Sequence, residues 1–228
     1  MSRSFLSYVQ LLDSALPIGG FSHSFGLETY VQQEKIATLK QLEHYSTALL
    51  HNTLIPLDGR CIRSVFEALE TQRFDLVAYY DNILHVQRTA RESREGALKM
   101  GKRLLALSRK LYPELPWMQW DTIAGKHGAY GTLPTIHCWI SYELGMNVDD
   151  TVKGYLYTSM TMMVNSALRL MSIGQSDGQR MIRLLIDRIE EAWQDEMSNP
   201  PRPPSNYAIA NDIRAMQHET LYSRLFMS

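Results

Sequence analysis

The chain has 228 residues, of which 45% are hydrophobic and 21% charged, and a formal net charge of −1. That length buries a sizeable core, and the near-neutral balance disfavours nucleic-acid binding, which calls for a basic excess. Two cysteines, Cys61 and Cys138, exclude a disulfide framework or a Cys-rich zinc site.

A reduced, cytoplasmic setting is expected. No signal-peptide pattern precedes Asp13, and no apolar run reaches the roughly 18 residues of a membrane span.

In residues 4–12, Phe5, Tyr8, Val9 and Leu12 fall at i, i+3, i+4, i+7, which predicts a short amphipathic helix. Pro17, Gly19 and Gly20 then impose a specific turn. Phe21 to Gln33 reads as a second helix, with Ser22 and Ser24 as capping candidates. Thr38 and Gln41 make a capping box for a helix from Leu39 to about Leu54, which Pro56 is expected to stop. Asp58 is expected to cap the next helix, whose inner face carries Ile62, Val65, Phe66 and Leu69.

A helix follows from Phe74, either running into or breaking before a long one from about Thr89 to Tyr112 with Met100, Leu104, Leu107 and Leu111 on one face. Gly125, Gly128 and Gly131 read as a small-residue stripe on a helix that Pro134 kinks or splits. Asp149 or Asp150 is the expected cap of a helix reaching about Ile173. A loop, Gly174 to Gly178, separates it from an amphipathic helix over Gln179 to Glu196 with Ile182, Ile186, Ile189 and Trp193 inward. Asn199-Pro-Pro-Arg-Pro-Pro204 reads as an extended tether to a tail, residues 205–228. No β alternation appears. The expectation is one all-α domain over residues 1–228, a bundle of about eight to ten helices.

Catalytic patterns are sparse. No Gly-Lys-Ser/Thr follows Gly20 and Gly26, so no phosphate loop is read, and Gly20-Phe-Ser-His-Ser24 lacks the second glycine of a nucleophile elbow. The seven histidines include His44 and His51 on one helix face, but no carboxylate or cysteine completes a ligand set. An enzymatic alternative rests on a buried His/Glu site, His127 or His137 with Glu143. The eight Lys/Arg between Arg88 and Lys110 read as a solvated face, and Met160, Met162, Met163 and Met171 as core filling.

Two segments carry more than a plain turn needs. Gly174-Gln-Ser-Asp-Gly-Gln179 frames amides suited to directional hydrogen bonds. The tail's Leu221, Tyr222, Leu225 and Phe226 either fold back on the body or dock on another protein.

Three stretches together resemble the urease accessory protein F (UreF) family. They are Ala15-Leu-Pro-Ile-Gly-Gly-Phe-Ser22 continuing to Gly26-Leu-Glu28; Ala167-Leu-Arg-Leu170 with Gly174 to Gln179; and Met216-Gln-His-Glu-Thr-Leu-Tyr-Ser-Arg-Leu-Phe226. Arg91-Glu-Ser-Arg94 with Gly101 is a looser match. His23 and Phe25 depart from the residues common in that family, which argues against chemistry by either.

The resemblance implies an all-helical, dimeric, non-enzymatic chaperone. It would bind UreD (also called UreH), recruit the GTPase UreG and help deliver nickel to apo-urease. Nickel would be cargo, with no tightly bound cofactor, no resident metal, and no nucleic acid or membrane partner; a nickel-storing metallochaperone is the variant reading. Carried over, Gln175, Asp177, Gln179, His218, Glu219, Tyr222, Arg224, Leu225 and Phe226 become the partner surface. Pro17, Gly19, Gly20, Ser22, Gly26 and Glu28 become the turn that shapes it.

Overall fold

The computed structural model describes residues 2–227, with side chains from Phe5 onward. Every regular element among them is helical. Helices α8 (Leu133–Glu143) and α9 (Val148–Leu170) form the centre. All nine residues from Leu133 to Ser141 are buried, and α9 hides residues on nearly every side, from Val152 to Ala167. A helix apolar all round belongs inside. Around them pack α3 (Leu39–Leu49), α4 (Arg60–Glu70), α6 (Arg91–Leu111) and α10 (Gln175–Ser198). Helices α5 (Phe74–Val86) and α7 (Trp117–His127) complete one side, α1 (Ser2–Leu11) and α2 (Leu27–Gln32) another.

Several boundaries follow the local chemistry. The Thr38 hydroxyl accepts from the Gln41 N–H at 3.3 Å, and Gln41 Oε1 accepts from the Thr38 N–H at 3.0 Å, closing the expected capping box. Ile62, Val65, Phe66 and Leu69 are all buried along α4.

Other expectations fail for identifiable reasons. In α1, Tyr8 and Leu11 are buried while Phe5 and Val9 are exposed, so the inner face is rotated from the expected one. Gly154 permits this, because a Cβ there would lie 2.0 Å from the Tyr8 hydroxyl, which donates to Asp150 O at 2.6 Å. The second helix starts at Leu27, after a short 3₁₀ turn at Gly20–Ser22. The Gly125/Gly128/Gly131 stripe does not exist. Gly128 (φ +78°) ends α7, Gly131 (φ +77°) lies in the following turn, and Pro134 sits in the first turn of α8. Asn147, not Asp149 or Asp150, caps α9, accepting from the Asp150 N–H at 2.8 Å.

Pro56 does not stop its helix. The chain widens into π geometry over Leu50–Gly59 and runs on into α4. Proline lacks the N–H that would bond the carbonyl four residues back and crowds that carbonyl, and π widening relieves the clash. The Asn52 carbonyl, four residues before Pro56, accepts from the Tyr207 N–H at 2.8 Å, and Pro56 O accepts from Ser205 N at 2.9 Å. Asp58, expected as a cap, points inward and accepts from Arg88 at 2.7 Å and from the Tyr155 hydroxyl at 2.8 Å. Arg88 is therefore buried in an ion pair and leaves the solvated face on which the sequence placed it.

The proline segment is accordingly a strap, not a free tether. Arg60 forks onto the buried Glu196 at 2.8 and 3.0 Å and donates to Pro203 O at 2.9 Å. Arg202 also reaches Glu196, at 2.6 Å, and Gln87 holds Pro204 O at 2.9 Å. The strap delivers the chain to α11 (Ile209–His218), which packs on α2 and α6. The tail thus folds back onto its own body.

Candidate partner-docking site

Segments far apart in sequence meet where the tail returns. Gly26 takes φ +97° and heads α2. A Cβ there would stand 3.1 Å from Asn211 Oδ1 and 3.3 Å from Ala215 N, so its absence lets α11 lie against the start of α2. Thr29 donates to Arg214 O at 2.9 Å, and Asn211 donates to Phe25 O at 3.2 Å.

His218, at the end of α11, is fully buried between two carboxylates. Its Nε2 lies 2.8 Å from Glu28 Oε2 and its Nδ1 2.7 Å from Glu92 Oε2. Each imidazole nitrogen thus has a carboxylate oxygen within hydrogen-bond distance. Glu28 also accepts from the backbone N–H groups of Leu225 (2.6 Å) and Phe226 (3.1 Å). Gln32 bridges Glu28 Oε1 and Ser223 O. Arg224 reaches Glu92 Oε1 at 2.8 Å, and Arg91 reaches Glu219 at 2.6 Å.

The last residues close over the N-terminal turn. The buried Phe226 ring carries the Arg169 guanidinium 4.4 Å from its centroid. Arg169, at the end of α9, donates to Phe21 O at 2.5 Å, and Met227 N donates to Ser22 O at 2.7 Å. The N-terminal turn, the head of α6, the end of α9 and the tail are thereby tied into one latch.

The UreF family model matches residues 36–186. Over all 228 residues of both chains, the sequence is 36% identical to the urease accessory protein UreF of Lachnoclostridium phytofermentans. The chain belongs to the UreF family. It is also 32% identical over 220 residues to the UreF of Haemophilus influenzae, covering 96% of this chain and 94% of that one. Against the UreF of Bacillus sp. strain TB-90 it is 31% identical over 223 residues, 98% of each. These relatives are named as accessory proteins, not as enzymes.

Within this UreF chain the tail residues divide. His218, Glu219, Arg224 and Phe226 point into the latch, whereas Tyr222 is fully exposed and Leu225 is 53% exposed. Glu28 is more than a turn residue, since it is the acceptor on which the tail closes. Gly19 (φ +91°) makes room for the Arg103 side chain, Gly20 lies against Met162, and Pro17 is exposed.

The expected loop at Gly174 to Gly178 is instead the first turn of α10, headed by Gly174, with Asp177 paired to Arg180. Gln175 and Gln179 are exposed. No hydrogen bond or ion pair joins Gln175, Asp177 or Gln179 to the tail among the described residues. Glu92, Arg91 and Arg169 were missed as site residues. Their only sequence signal was their place within the quoted motifs.

The enzymatic alternative has no assembled site. His137 is buried, 3.1 Å from Thr151 O and flanked by the Tyr8 and Tyr155 rings, with no bond to Glu143. Burial pushes its imidazole down to about 4. His127 sits in the last turn of α7. Among the described residues, no three His, Cys, Asp or Glu side chains are grouped to hold a metal ion, and no helix is long and apolar enough to cross a membrane.

Proposed function

We propose that this UreF-family protein is a non-enzymatic adaptor of urease maturation. It binds UreD (UreH) through the latched tail and recruits the GTPase UreG, so that the assembly delivers nickel to apo-urease. It acts in the cytoplasm as a homodimer, with nickel as cargo. Membership of a family whose members are named urease accessory proteins supports the setting.

One observation carries the docking role. The latch spends its charged residues internally, yet holds Tyr222 fully exposed beside the half-exposed Leu225. Tyrosine is a favoured interface anchor, and an anchor fixed in place loses little entropy on binding. The exposed Gln175 and Gln179 at the head of α10 form a second contact for the assembly.

Co-purification of the full-length protein with UreD (UreH) and UreG tests the reading. Tyr222→Ala with Leu225→Ala is expected to abolish capture of UreD (UreH) while leaving the melting temperature unchanged. Undiminished capture by that double variant would remove the tail from the interface, and failure of the unaltered protein to capture either partner would end the adaptor reading.

A further inference from the structure

A cavity of about 350 Å³ lies beneath the turn of residues 13–21, between it and helices α6, α8 and α9. Close-packed interiors hold few voids larger than a water molecule, and small-molecule sites start near roughly 300 Å³. Its walls include Leu16, Ile18, Leu104 and Met162. Two polar groups in the lining have no acceptor. The Thr161 hydroxyl is buried and makes no hydrogen bond. The Arg103 guanidinium has no ion pair among the described residues, although its α6 neighbours Arg91, Lys99 and Arg109 each have one. A buried hydroxyl without a partner is costly, and the cost is recovered when a ligand supplies the acceptor.

The turn of residues 13–21 forms one wall of the cavity. Gly19, whose φ of +91° favours glycine, lies against the Arg103 guanidinium in the lining. Asp13, the competing charge in the lining, is engaged by the Ala15 N–H at 2.8 Å. Arg169 is committed to Phe21 O and the two phenyl rings.

We propose that this cavity is a binding site for a small amphipathic carboxylate. Its aliphatic body lies on the leucine, isoleucine and methionine walls, and its carboxylate is held by Arg103, with Thr161 as a hydrogen-bond donor.

Titration of the full-length protein with sodium octanoate tests it, with octylamine as the probe of opposite charge. Octanoate is expected to bind and octylamine not. Arg103→Glu, a change at an exposed side chain, is expected to weaken octanoate about tenfold or more and to admit octylamine. Thr161→Val, which keeps the shape and removes the donor, is expected to weaken octanoate several-fold with folding intact. Bound octanoate is also expected to slow amide exchange over residues 13–21. Equal binding of the two probes, no dependence on Arg103, or no binding of octanoate by the folded protein would overturn the proposal.

Discussion

The tail and the Gly174 to Gln179 segment look alike as sequence, each a polar stretch with more specific residues than a turn needs. In three dimensions they are opposites. The tail's His218, Glu219 and Arg224 are engaged by the fold, and Glu28 alone accepts from His218, Gln32, Leu225 and Phe226. At the head of α10 the two glutamines stay exposed, and Gly178 is the residue the fold needs, because a Cβ there would meet Leu168 at 3.0 Å. A motif residue with several internal bonds is explained by stability; one with none is free for a partner.

The comparison breaks first at His218. Removing the imidazole takes a hydrogen-bond partner from the buried Glu28 and the partly buried Glu92, a loss of about 3 kcal/mol. His218→Ala is expected to release the tail, with hydrogen exchange rising over residues 209–227 while α8 stays protected. Unchanged exchange across the tail would mean that the latch does not hold it. Glu196→Ala tests the strap in the same way. It strands the buried Arg60, and urea denaturation is expected to show a loss of about 3 kcal/mol. A loss under about 1 kcal/mol would leave the π stretch, not the ion pair, as what fixes the strap.

A smaller, pH-dependent effect belongs to the core. His137 is neutral in the folded chain down to about pH 4, whereas unfolded it titrates near 6.5. Between those values the unfolded state binds more protons, so stability falls as pH falls, by up to about 3 kcal/mol, and the slope from this group ends below about 4. Urea midpoints across that range are expected to show the slope, and His137→Gln to reduce it, the remainder coming from His23, which burial also pushes down to about 4. A slope identical in the variant would assign it elsewhere. The smallest effect is expected at the other pole of the comparison. Gln175→Ala with Gln179→Ala is expected to change stability by less than about 0.5 kcal/mol. A drop in melting temperature of several degrees would show that these amides also serve the fold.

Much of this protein follows from near-neighbour spacing. The all-α class, the Thr38–Gln41 box and the buried stripe of α4 are relations of three or four residues along the chain, which a sequence displays directly. The N-terminal, central and C-terminal motifs were legible too, and so was the family. The partners of their polar residues were not. Glu28 and His218 are 190 positions apart and Arg60 and Glu196 136 apart, and no spacing rule selects one carboxylate from the 24 acidic residues.

Pro56 makes the same point at the level of backbone. By itself it reads as a stop, because its missing N–H and its clash are local properties. Only the folded chain shows the π widening that lets the helix run on, and brings the Tyr207 N–H to the Asn52 carbonyl. The sequence by itself determined where helices form and which stretches are over-specified, since propensity, capping and periodicity are local. Tertiary structure decided which face of α1 turns inward, whether the proline segment hangs free or is strapped down, and which tail residues are bound internally and which stay exposed. Those outcomes depend on buried polar groups finding acceptors across the whole fold.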